Sequence, residues 1–126
     1  MPSADPPHPG RLFIVDDDAH VLSSLRFALE ADGYEVVTLT SGEALIETSP
    51  SGARDCIIID QRLQGLSGLE TLSRLRGNGI RTPAILITTN PSRNVRRIAD
   101  DAAIEIVEKP LLGNALPQKI LEVLSR

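Results

Sequence analysis

Five times along this chain a short, almost wholly apolar run gives way to a stretch whose apolar residues recur every three or four positions. The first run predicts a strand at Arg11–Val15. Val21, Leu22, Leu25, Ala28 and Leu29 then follow at helical spacing until Asp32-Gly33. Glu35–Leu39 is apolar and β-branched enough for a second strand. Thr40-Ser41-Gly42-Glu43 has the T-x-x-E spacing of a capping box and opens a short helix that Ser49-Pro50-Ser51-Gly52 ends. The third strand is Asp55–Asp60, followed by a helical stripe of Leu66, Leu69, Leu72 and Leu75 that Gly77-Asn78-Gly79 closes. Residues 83–88 form the fourth strand, and Val95, Ile98, Ala99 and Ala102 mark the next helix. Residues 104–107 form the fifth strand. Leu116, Ile120, Leu121, Val123 and Leu124 give the last helix its buried face. Pro117 fits there if the helix begins near Ala115, because no intrahelical N–H is lost in a first turn.

Near-continuous apolar strands joined by amphipathic helices imply a parallel sheet covered on both faces. Five βα units suit a flavodoxin-like, doubly wound α/β fold with strand order 2-1-3-4-5. In such sheets the functional crevice lies at the carboxyl ends of the strands.

Composition narrows the class only modestly. The 126 residues fit one domain, and 41% hydrophobic with 24% charged residues is ordinary for a globular chain. A net charge of −4 argues against a nucleic-acid-binding face. The single cysteine, Cys56, excludes an internal disulfide and reads as a buried thiol within a strand. No apolar stretch is long enough to span a membrane and no signal-peptide pattern is present, so a cytoplasmic setting is expected. Residues 1–10 carry four prolines and a glycine without periodicity. They are expected to form a flexible leader ahead of a domain at 11–126.

The chemistry gathers at the strand ends. Strand one runs into Asp16-Asp17-Asp18, strand three into Asp60, strand four into Thr88 and strand five into Glu108-Lys109. Each has a plain explanation taken singly: Asp17 or Asp18 as a helix cap, Thr88 as a cap, Lys109 as a solvated surface lysine. Converging on one crevice, the acids need a counter-charge, and a divalent cation is the natural one. Mg²⁺ takes hard oxygen ligands, Asp60 is placed to act as a nucleophile, and an ammonium and a hydroxyl can bind phosphoryl oxygens.

The strings Phe13-Ile14-Val15-Asp16-Asp17-Asp18, Ile57 through Gly68 around Asp60, Ile87-Thr88-Thr89 and Glu108-Lys109-Pro110 resemble those of response-regulator receiver domains, the CheY-like family of two-component signalling. The resemblance runs from Arg11 to Arg126. It implies that Asp60 is the phosphoacceptor and that Thr88 and Lys109 meet the phosphoryl group. It also implies Mg²⁺ held by Asp16, Asp17, Asp60 and the backbone carbonyl of Arg62. The Lys109–Pro110 peptide is expected to be cis, and Asp18 to cap the first helix. The partners it implies are a histidine kinase or phosphotransfer domain as donor. A second copy of the chain would meet it through the helix 4–strand 5–helix 5 face. Neither nucleic acid nor membrane is expected to bind directly.

Three positions depart from the family pattern. Gln64 stands where proline is usual, which predicts a looser loop. Ile106 replaces a common aromatic switch residue, and Ala102 a frequent glycine. Arg62 and Asn90 occupy positions that tune the lifetime of the phosphoryl group. The segment from Thr88 to Asp101 is the expected moving part, with Arg93, Arg96 and Arg97 as a basic face. Other readings fit less well. A haloacid-dehalogenase-type phosphatase needs a second acid where Arg62 stands. A dinucleotide-binding domain needs a glycine-rich turn where the three aspartates stand. A pseudo-receiver that binds partners without phosphorylation is the remaining alternative, although no site residue is missing.

Overall fold

The computed structural model describes residues 10–126, so the expected Pro-rich leader, save Gly10, lies outside the described residues. The elements alternate strictly: β1 Arg11–Val15, α1 Ala19–Ala31, β2 Glu35–Leu39, α2 Gly42–Thr48 and β3 Asp55–Asp60, then α3 Gly68–Gly77, β4 Ala84–Thr88, α4 Arg93–Asp101, β5 Ile104–Glu108 and α5 Ala115–Leu124. The five strands form one parallel sheet in the order β2-β1-β3-β4-β5. This is the fold class and strand order expected from the sequence.

Strand side chains alternate between faces, so a fully buried strand feeds two cores. Leu12, Ile14, Cys56, Ile58, Ile85 and Ile87 face one side with residues of α1 and α5. Phe13, Val15, Ile57, Ile59 and Leu86 face the other with residues of α2, α3 and α4. Burial pushes the Cys56 thiol up to about 12, which keeps it protonated and inert.

Several local expectations are corrected. The Thr40–Glu43 box does not form, because α2 begins one residue later and Ser41 Oγ accepts the Ala44 N–H at 3.1 Å. The same S-x-x-E spacing is real at α3, where Ser67 and Glu70 exchange both bonds. Leu66 therefore precedes the helix it was expected to join. Ala28 is exposed, since a single methyl costs little to leave in water. Leu121 is 59% exposed, because the buried face of α5 is Leu116, Ile120 and Val123, and Leu121 lies one residue around the helix. β4 begins at Ala84, and β5 extends to Glu108.

Gly68 fixes how α3 meets the sheet. A Cβ there would lie 2.5 Å from the Asp60 carbonyl oxygen and 2.8 Å from Leu86 Cδ1, so only glycine lets the helix start directly on the Asp60 backbone. Gly77, at the other end of α3, has nothing within 4 Å of an added Cβ. Gly68→Ala is therefore expected to lower unfolding free energy by about 1–3 kcal/mol despite alanine's better helix propensity. Gly77→Ala is expected to change it by less than about 1 kcal/mol, in the stabilising direction. Urea unfolding of the two variants checks this contrast.

Candidate functional site

The register brings the strand ends to one edge. Val15 pairs with Ile59, Asp60 with Ile87, and Thr88 with Glu108, so Asp16, Asp60, Thr88 and Lys109 all leave the sheet at the same level. Main-chain bonds hold that level: Gln61 N–H donates to Ile87 O at 2.9 Å, and Lys109 N–H to Thr88 O at 2.9 Å. Asp16, Asp60 and Thr88 are buried, whereas Asp17 and Arg62 are exposed.

Lys109 reaches across β4 to Asp60. Its Nζ donates to Oδ2 at 3.2 Å and lies 3.1 Å from Oδ1, off the hydrogen-bonding direction. Oδ1 is buried and accepts no hydrogen bond. The Lys109–Pro110 peptide is cis, as expected. Thr88 makes no side-chain hydrogen bond among the described residues, so its hydroxyl remains available at the edge.

Each of the three aspartates after β1 does something different. Asp16 Oδ1 accepts the Asp18 N–H at 2.8 Å. Burial pushes the Asp16 carboxyl above its ordinary value, and the charges of Asp60 and Asp17 push the same way. The Asp18 N–H bond and Lys109 oppose them. Asp18 caps α1 as expected, with Oδ1 accepting from His20 N–H at 2.9 Å and, more weakly, from Val21 N–H at 3.4 Å. Asp17 Oδ2 accepts the Gln64 N–H at 3.3 Å, which ties the loop after β3 to the loop after β1. A proline at position 64 has no N–H to offer. The expectation that Gln64 loosens this loop is thus offset by a bond that only a non-proline residue makes.

Gln61 was missed by sequence reasoning. Its Oε1 accepts the Leu69 N–H at 2.8 Å and its carbonyl accepts the Gly68 N–H at 3.1 Å. The residue after Asp60 is thereby stitched to the first turn of α3. The Ser67–Glu70 spacing was the one local signal that a helix began there.

The donor set suits a hard divalent cation. Among the described residues no three carboxylate, imidazole or thiol side chains converge tightly enough to bind a metal unaided. Mg²⁺ does not require that, because it keeps several waters and takes one or two carboxylates with other oxygens. Asp60 Oδ1, which accepts no hydrogen bond, and the carboxylates of the neighbouring Asp16 and Asp17 are oxygen donors of that kind. Beside them, Val21, Leu25, Ile87 and Leu111, with Asp16, Thr89 and Lys109, line a mostly apolar cleft of about 450 Å³.

Comparison with known proteins identifies the family. The family model for the response regulator receiver domain matches residues 12–121. The transcriptional regulatory protein FixJ of Bradyrhizobium diazoefficiens is 28% identical over 112 residues, covering 88% of this chain and 55% of FixJ. The response regulator MprA of Mycobacterium tuberculosis is 32% identical over 117 residues, covering 92% of this chain and 51% of MprA. The chain thus spans about half the length of these curated relatives. Among solved structures, FixJ-N superposes with a TM-score of 0.78 at 29% identity, covering 92% of this chain and 93% of that one. A CheY-like receiver domain protein from Methanospirillum hungatei does so with a TM-score of 0.83 at 26% identity, covering 92% and 94%. A matched family model over nearly the whole domain, on the fold the strand order had already defined, makes this chain a member of the response-regulator receiver family of two-component signalling.

Proposed function

We propose that this domain is a phosphorylatable receiver, taking a phosphoryl group from a histidine kinase or phosphotransfer domain onto Asp60 in the presence of Mg²⁺. The single observation that carries the reading is the Asp60 carboxylate: buried, bonded to Lys109 through one oxygen, and left unsatisfied at the other. A purely structural aspartate in that position would have its second oxygen bonded.

In the proposed step an Asp60 carboxylate oxygen attacks phosphorus in line. The O–P bond forms as the P–N bond of the donor phosphohistidine breaks, and its electron pair stays on the imidazole nitrogen. Lys109 already sits within 3.2 Å of Asp60 and passes to a phosphoryl oxygen as negative charge gathers there. The Thr88 hydroxyl donates to another. Asp16, Asp17, Asp60 and the Arg62 carbonyl would hold Mg²⁺. When bound, the ion supplies positive charge that offsets both the clustered acids and the incoming phosphoryl oxygens. The domain signals rather than turning over a substrate. Its donor is proposed to approach over the apolar cleft beside α1, which opens directly onto Asp16 and Lys109.

The output would leave through α4. Only Ala99 of that helix is fully buried, and Arg96 bonds Glu108 at 3.2 Å, one residue before Lys109. Ile106 packs half-buried against the same core as Val95 and Ile98. The α4–β5–α5 face is the proposed contact with a second copy. Direct contact with nucleic acid or membrane is not part of the proposal, and the proposed setting is cytoplasmic.

The first test is phosphate incorporation from a small phosphodonor, with and without Mg²⁺, in the native chain and in Asp60→Asn. Labelling is expected only with Mg²⁺ and only in the native chain. A folded, Mg²⁺-binding protein that takes up no label would instead favour a pseudo-receiver acting without phosphorylation.

Lys109→Ala separates two effects of one side chain. It is expected to slow labelling by roughly 10- to 100-fold, since a donor to the developing charge is lost. It should also tighten Mg²⁺ binding, because a competing cation leaves the acids. Asp17→Asn should weaken Mg²⁺ binding by at least about tenfold with little change in stability, the residue being exposed. The chain has no tryptophan, so calorimetry or NMR is the suitable readout for both.

A further inference from the structure

At the end of the sheet opposite Asp60, about 15 Å away along strands of five residues, the starts of β4 and β5 border a second cleft of about 340 Å³. Its charged lining is Arg76, Arg81, Asp101, Glu105 and Arg126. Glu105 and Arg126 are bonded to each other, which settles that pair. Arg76 and Arg81 are not settled.

Arg76 is half-buried and gives Nε–H to Ala102 O at 3.1 Å and Nη1–H to Ile80 O at 3.0 Å. Both acceptors are neutral carbonyls. Among the described residues no carboxylate comes within ion-pair distance of either guanidinium, Asp101 included. Arg81 makes no side-chain hydrogen bond or ion pair among the described residues. It lies close enough for its charge to reinforce the effect of burial, which pulls the Arg76 guanidinium below its ordinary value. Arg76 is partly out of water and Arg81 is exposed at the cleft's rim. Asp101, the one unpaired carboxylate of the lining among the described residues, forms an ion pair with neither, so an oxyanion can meet both guanidiniums. Guanidinium forks match the paired oxygens of a phosphate or carboxylate, and two carbonyl bonds leave Arg76 with three of its five N–H donors unused.

We infer that this cleft is a binding site for a small oxyanion, a phosphate or carboxylate group held between Arg76 and Arg81. The site is separate from the phosphoacceptor edge and does not depend on the proposed phosphorylation.

The test is an amide-resolved NMR titration of the full chain, without Mg²⁺ and at constant ionic strength, with inorganic phosphate in one arm and succinate in the other. Saturable shifts at Arg76, Ile80, Ala102 and Ala103 are expected in at least one arm, and the arm that saturates identifies the oxyanion. Arg81→Gln should weaken that binding about tenfold, the loss of one charge-assisted hydrogen bond. It should leave the melting temperature unchanged, because Arg81 makes no bond in the fold. Arg93→Gln, on exposed α4, should leave binding unaltered. Shifts that stay linear, that cluster at Asp16 and Lys109 instead, or that survive Arg81→Gln undiminished would overturn the inference.

Discussion

A buried carboxylate that has acidic neighbours and is paired with a single ammonium is the constraint around which the strand ends are arranged. Asp60 sits where β3 leaves the sheet, between Asp16 on β1's side and Lys109 on β5's. Lys109 cannot reach it from an adjacent strand, since β4 lies between β3 and β5. It arrives over the top of β4 from the loop after β5. The parallel arrangement makes this meeting possible, because every strand delivers its last residue to the same edge. An antiparallel neighbour would have delivered a turn instead. Lys109 bonds one Asp60 oxygen, and the other, Oδ1, is where the proposed cation would find an oxygen with no hydrogen bond.

The loop after β3 has to hold the proposed nucleophile and a proposed ligand carbonyl within a few residues of each other, and it does so without the proline usual in the family. Three features replace that stiffness. Gln61 is bonded through its side chain and its carbonyl to the start of α3. Ser67 and Glu70 close a reciprocal cap on the same turn. The Gln64 N–H reaches Asp17 across the site. The last of these is different in kind, because it couples the loop to a proposed metal ligand. A proline stiffens a chain by restricting its unfolded alternatives, whereas this bond acts only in the folded state and only while Asp17 is free to accept it.

The five strands and the four strand-end residues were legible because each follows from a strong local signal. The strand order came instead from the fold type that five βα units suit, and the choice of Asp18 over Asp17 as cap from setting the chain beside the family it resembles. Apolar runs of five or six residues flanked by helical periodicity leave little freedom, and an acid ending such a run has nowhere to go but the carboxyl edge. The misreadings came where two local signals competed. Thr40 and Ser41 both offer a hydroxyl ahead of the second helix, and only the backbone path decides that Ser41 is the cap. Leu121 is as apolar as Ile120, but a rotation of about 100° per residue turns it to solvent. Gln61 was illegible for another reason. Its role depends on where α3 starts relative to β3, a tertiary distance that no spacing encodes.

The same reasoning bears on how a signal could leave Asp60 on the proposed function. Aromatic rotamer switching requires a ring that alternates between buried and exposed positions, and Ile106 has no ring to turn. It packs half-buried against the same core as Val95 and Ile98 of α4, so strand and helix share that core. What remains movable is polar. On the proposed function Lys109 would leave Asp60 for a phosphoryl oxygen, and Glu108 is its covalent neighbour at the end of β5. Glu108 in turn is the partner of Arg96 on α4, an exposed pair whose hold is weak enough to break at small cost. A displacement of Lys109 would therefore reach α4 through one peptide unit and one ion pair, alongside the proposed route through Thr88. In this chain the proposed polar route stands where an aromatic one would, because position 106 holds a branched aliphatic that packs and has no ring to turn.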